Sequence, residues 1–339
     1  MIQVGVFRKL VFIATVLTFI VVVVGAFVRL SDAGLGCPDW PLCYGKLTPS
    51  HAAEEIGKAE AVQPGGPVSM AKAWKEMFHR YIAKLLGLLI IGIAVLAWIK
   101  RHALGQPPWL ATALFGAVCL QGAFGAWTVT MMLMPIIVTG HLIGGMTVLS
   151  LLTWLSARQI AWPPVLAGAP SWLRRAAPLA LFLLACQIAL GGWVSTNYAA
   201  MGCSDLPLCK GQLVPAMDFE HGFTLLRDLG KKADGDLLTL EALTAIHWMH
   251  RVGALVVFLF LGWFGSVLLK APALRGLGMV LHALLVLQVS IGIAVVALQL
   301  PLHLAAAHNA GAALLLMALV VINFRVFSAP RAPAGPGPA

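Results

Sequence analysis

The sequence predicts an all-α integral membrane protein whose eight transmembrane helices form two repeated four-helix bundles. Three observations carry that expectation. Of 339 residues, 60% are hydrophobic and only 11% are charged, more apolar surface than one water-soluble core of this size hides. Eight stretches of about 20 apolar residues are each long enough to cross roughly 30 Å of hydrocarbon as a helix, a form in which the backbone satisfies its own hydrogen bonds. Landmarks also recur at a near-constant spacing. Cys37 and Cys43 return as Cys203 and Cys209 after 166 residues, His141 returns as His308 after 167, and HRYIAKLLG at His79 is matched by HRVGALVVF at His250 after 171.

The first stretch, residues 10–30, follows Arg8 and Lys9 as a signal peptide would. It is over-long and no convincing cleavage site follows, so a retained helix is expected. A loop containing GLGCPDWPLCYGKL leads to residues 78–99, a basic turn at Lys100 and Arg101 leads to 109–129, and 135–155 completes a first bundle, residues 1–157. The loop 156–171, with Pro163, Pro164 and Pro170, is the expected joint. The second bundle, residues 176–325, repeats the plan with 176–194, a loop containing AMGCSDLPLCKGQL, 244–268, 277–300 and 302–324. Four helices per half is an even number, so both halves face the same way across the bilayer. The Pro/Gly/Ala-rich residues 326–339 read as a disordered tail.

Charge sets the expected orientation. With the N-terminus inside, the inner loops and both termini are basic or neutral, while all thirteen acids fall in outer loops or in the outermost turn of a helix. The formal net charge of +10 therefore reflects topology, and no nucleic-acid partner is expected. Nothing resembles an Arg/Ser-rich transit peptide, so a bacterial plasma membrane is the expected address, with both termini cytoplasmic and lipid as the surroundings.

Each Cys pair lies in an outer loop, where a bacterial chain meets oxidising chemistry. Two cysteines six apart around bending prolines reach disulfide distance, so Cys37–Cys43 and Cys203–Cys209 are expected to pair. The pairs then either pin their loops or exchange electrons with a partner, and the residues leave both open. Cys119 and Cys186 lie within apolar helices and read as small buried side chains.

Intramembrane histidines are costly enough to be functional candidates. His79, His141, His250 and His308 are each placed about one turn inside the outer end of an even-numbered helix, at similar depth. Within a half the two helices run parallel, so the imidazoles face each other. That suits iron in a flat macrocycle with a His on each face, whereas tetrahedral zinc needs further ligands. Two heme positions follow, one per half. Gly140, Gly144 and Gly145 near His141, and Ala305 to Ala307 with Gly311 near His308, would let a large ring approach the backbone. Arg80 and Arg251 follow the ligands directly and are candidate propionate partners, or else snorkel to the interface. His51, His102, His221 and His282 lie at the wrong depth, and His303 is one turn too far out.

The halves differ at one informative position. Glu76 stands three residues before His79 in WKEMFHR, and its counterpart in IHWMHR is His247. A Glu in the first turn of a helix complements the macrodipole. If it faces the ring instead, it accepts a proton or positions water beside the porphyrin edge, which places chemistry in the first half and electron transfer in the second.

The whole chain resembles the heme A synthases in its eight helices, the GLGCPDWPLC loop, Glu-x-x-His at Glu76 and His79, GHLIGG around His141, HRVGAL at His250 and HNAGAALL at His308. That resemblance implies oxidation of the C8 methyl of heme O to a formyl group by successive hydroxylations. It also implies that Glu76, His79 and His141 surround the substrate heme while His250 and His308 ligate a resident heme b. Heme O synthase is a further partner on pathway logic, and the electron-transfer partner leaves no mark in the chain. A Cys pair in both halves departs from some relatives. Two other functions fit parts of the pattern: a diheme b-type membrane electron carrier, and a membrane thiol-disulfide oxidoreductase using the four paired cysteines.

Overall fold

A computed structural model describes residues 2–162 and 172–328. Among them all regular structure is helical, and eight helices are long and apolar enough to cross a membrane. These are α1 (Ile2–Leu30), α2 (Met70–Ile99), α3 (Trp109–Thr130), α4 (Pro135–Arg158), α5 (Leu173–Thr196), α6 (Leu240–Leu269), α7 (Arg275–Ala297) and α8 (Leu302–Phe327). Prolines 163, 164 and 170 of the expected joint, and the tail after Ser328, lie outside the described residues. Val326 and Phe327, expected in that tail, are the last residues of α8.

Packing closes two rings of neighbours. Helices α1 to α4 pack in sequence and α4 returns to α1, while α5 to α8 do the same, and α1 and α4 meet α8 and α5 between the rings. Apolar side chains fill the end of each ring away from the disulfide loops. One core joins Phe7, Val11, Leu86, Ile90, Leu114 and Leu152, and the other joins Leu184, Leu261, Phe264, Leu281 and Leu319. Lipid is as apolar as leucine, so this association rests on close packing and on polar contacts rather than on transfer from water. Two such contacts are Thr15 Oγ1 with Ser156 Oγ at 2.8 Å and the Asn323 amide donating to Ala177 O at 3.0 Å.

At the disulfide end, Arg29 ties the rings together. Its Nη2 donates to Ser195 O at 2.9 Å, its guanidinium lies 4.1 Å from the centroid of the Tyr198 ring, and Tyr198 donates to Asp32 at 2.7 Å. Asp32 and Tyr198, 166 residues apart, both take left-handed backbone, at φ of 50° and 54°. The short turns before α4 and α8 match in the same way, with positive φ at Met132 and Leu133 and at Gln299 and Leu300.

Two helices begin earlier than their apolar stretches. α2 starts at Met70, capped by Ser69 Oγ accepting from Lys72 N, and α6 starts at Leu240, capped by Thr239 accepting from Ala242 N. These extra turns pack against the disulfide loops, burying Ala73 and Met77 with Cys37 and Cys43. His79 therefore sits more than two turns inside α2, not one. The long loop after α1 also holds a helix, Ala53–Val62, whose mixed polar sequence gives no apolar stretch. Cys119 and Cys186 are exposed on the outer faces of α3 and α5, contrary to the expectation that they are buried; a small, weakly polar thiol is tolerated facing lipid.

Candidate functional site

The four histidines come together in twos. His79 on α2 lies near His141 on α4 in the first ring, and His250 on α6 lies near His308 on α8 in the second. Each imidazole rests on a glycine of the helix before its own. A Cβ built on Gly25 would lie 2.8 Å from His79 Cε1, on Gly125 3.4 Å from His141 Cε1, on Gly191 3.1 Å from His250 Cε1, and on Gly292 2.8 Å from His308 Cε1. The missing side chains make room for the rings. These glycines were not singled out from sequence, although their recurrence after 166 and 167 residues was a readable signal.

The glycines that were singled out do something else. Phe124 occupies the space over Gly140, Gln121 that over Gly144, and Gln288 that over Gly311. A side chain from the preceding helix fills each gap. The Nδ1 atoms of His79, His141 and His308 are buried without a hydrogen-bond partner. Three of the four rings thus keep a nitrogen that no protein group satisfies, which fits an axial ligand set. Among the described residues no cluster of three or more His, Cys, Asp or Glu converges as it would on an isolated metal ion.

Above each pair sits a disulfide loop. Cys37–Cys43 and Cys203–Cys209 are both formed, with Cα atoms 4.9 and 4.7 Å apart. In both loops an aspartate between the cysteines caps the turn that follows the second one: Asp39 accepts from the Tyr44 and Gly45 amides, and Asp205 from the Lys210 and Gly211 amides. The Gly211 amide, followed by that of Lys210, holds the Asp205 carboxyl below its ordinary value.

Glu76 and Arg80 are both buried, and the Glu76 carboxylate accepts from Arg80 Nη2 at 2.5 Å and from the Cys37 amide at 2.9 Å. Arg80 Nη1 also donates to Asp39 O and Leu42 O, at 2.7 and 2.6 Å. In the second ring the Cys203 amide donates to His247 Nδ1 at 3.2 Å, and Arg251 donates to Asp205 O, Leu208 O and Cys203 O. Glu76, His79 and Arg80 thus lie together under one loop, and His247, His250 and Arg251 under the other. His51 lies in the 3-10 turn Pro49–Ala52 and His221 in the one-turn helix Phe219–Gly222, bonded to Thr48 and Asp218, and His282 bonds to Gly278 O near the opposite end. None joins either pair.

A family model, COX15-CtaA, described as "Cytochrome oxidase assembly protein", matches residues 8–320. The chain belongs to the COX15-CtaA family. A protein named heme A synthase from Shewanella oneidensis is 41% identical over 315 residues, covering 92% of this chain and 94% of its own length. Heme A synthases from Rhizorhabdus wittichii and Allorhizobium ampelinum are 28% and 29% identical, over 91% of this chain in each case. The COX15-CtaA match runs from Arg8 in α1 to Val320 in α8, so it spans both histidine pairs and both disulfide loops. This COX15-CtaA chain is a multi-pass membrane protein.

Proposed function

We propose that this chain is a heme A synthase, a membrane oxidoreductase acting on a CH group, which converts the C8 methyl of heme O to a formyl group. Family membership and the 41% identity to a heme A synthase along nearly the whole chain carry the reading. The paired imidazoles support it, because a prenylated porphyrin is best held from within the bilayer. His79 and His141 hold the substrate heme. His250 and His308 hold a resident heme b, which supplies an electron relay when bound. Successive hydroxylations of the methyl lead through a geminal diol that loses water.

Within this proposal Glu76 takes up or positions protons at the substrate edge. It is the carboxylate one turn from a proposed substrate ligand, and Arg80 with the Cys37 amide fixes its orientation. Arg80 and Arg251 remain candidate propionate partners only through donors that the loop carbonyls leave free. Both termini are cytoplasmic, so alkaline phosphatase fused to the C-terminus is expected to be inactive. The duplicated loop and turn backbones support reading residues 1–157 and 176–325 as two copies of one bundle.

Pigment extracted from cells making this protein with a source of heme O is expected to contain heme A. Intact heme binding without heme A would instead make the chain a diheme electron carrier.

A further inference from the structure

Three of the four histidines carry a clamp that the fourth lacks. Gln121 on α3 donates from Nε2 to His141 O at 2.7 Å, Gln187 on α5 to His250 O at 3.0 Å, and Gln288 on α7 to His308 O at 3.0 Å. Two of these amides also reach the ring, Gln187 Nε2 at 3.0 Å from His250 Nδ1 and Gln288 Nε2 at 3.3 Å from His308 Nε2. Each carboxamide is wedged over a glycine three residues past its histidine. A Cβ on Gly144, Gly253 or Gly311 would lie 2.1, 2.3 or 2.1 Å from the corresponding Gln Oε1.

The pattern is a paired motif. Gln-x-x-x-Gly on one helix meets His-x-x-Gly on the next, as QGAFG with HLIG, QIALG with HRVG, and QVSIG with HNAG. In the remaining copy the segments are VVVVG and HRYI. Val21 stands where the glutamine would be and Ile82 where the second glycine would be. Gly25 keeps its place under the His79 ring. What is missing is the directional restraint, and His79 Nδ1 is buried without a hydrogen-bond partner.

We infer that Gln187 and Gln288 are positioning residues that lock the His250 and His308 rings, that Gln121 holds only the backbone at His141, and that unclamped His79 is the ligand that lets go. This assignment rests on the proposed function, in which the first ring must take in a substrate heme and release a product while the second keeps its cofactor. A histidine held at carbonyl and ring cannot swing without breaking those bonds. His79 has neither bond to break, and at His141 only the backbone is held.

The test is the rate at which heme-loaded, detergent-purified protein gives up heme to excess apomyoglobin, read by absorbance. Wild type is expected to show a fast phase from the first ring and a slow phase from the second. Gln187→Ala should speed the slow phase about fivefold, the usual effect of one lost hydrogen bond. Gln187→Met, which keeps the volume and loses the donor, should do the same. Val21→Gln with Ile82→Gly should slow the fast phase by a similar factor. An unchanged fast phase in that double variant, or a Gln187→Met protein as slow as wild type, overturns the assignment. The proposed function fails separately: if no heme A is made while these rates shift as stated, the clamps stand and the reaction does not.

Discussion

Glu76 and His247 occupy equivalent positions and make the same bond, each accepting the backbone amide of the first cysteine in the loop above it, at 2.9 Å from Cys37 and 3.2 Å from Cys203. One acceptor is a carboxylate and the other an imidazole. The structural task is therefore shared, and the difference in charge is left for chemistry.

That comparison separates support from reaction. Glu76→His should keep the loop anchored, because the second ring shows an imidazole doing so, and should leave resident b-type absorbance in place. Heme A yield should fall by about 100-fold or more, the usual contribution of a positioned proton acceptor. Normal heme A in extracts of this variant would remove Glu76 from its proposed role.

The two arginines should differ in stability. Arg80→Ala strands a carboxylate that is 4% exposed, and breaking a buried ion pair from one side costs about 3–5 kcal/mol. Arg251→Ala frees three carbonyls and His247 Nε2, all neutral acceptors, costing about 1–3 kcal/mol. Thermal unfolding in detergent measures both. Equal losses would mean that Glu76 is neutral in the folded protein.

The glycine beds give a graded series. Gly292→Ala forces a Cβ to 2.8 Å from the His308 ring, Gly191→Ala to 3.1 Å from that of His250, and Gly125→Ala only to 3.4 Å from that of His141. Soret absorbance of the purified proteins should be lost most in Gly292→Ala, partly in Gly191→Ala and least in Gly125→Ala. A reversed order would show that the rings do not rest on these residues when heme is bound.

The histidines were legible because an imidazole in an apolar run is rare and here recurs at a fixed spacing. Their supports were not. Gly25 and Gln187 lie on the helices before those of His79 and His250, and which of 34 glycines meets a ring is decided by tertiary packing. The starts of α2 and α6 were missed for another reason. Lys72, Lys75 and Glu76 end the apolar run at Phe78, yet Ser69 caps a helix that continues beyond it, a local signal that hydropathy does not register.

The disulfides should be structural, and the two pairs should differ in consequence. Each closes a short loop, six residues in separation, worth about 2 kcal/mol against the unfolded chain. Cys203→Ser with Cys209→Ser should lower the unfolding temperature and leave heme A yield within about twofold, since the loop it loosens rests on His247. Cys37→Ser with Cys43→Ser loosens the loop whose amide orients Glu76. It should therefore also cut heme A about tenfold, the effect of one charge-assisted hydrogen bond, while b-type absorbance stays. Loss of all heme A in the Cys203 and Cys209 variant, with its heme retained, would instead assign that pair to electron exchange and return the thiol-disulfide reading to contention.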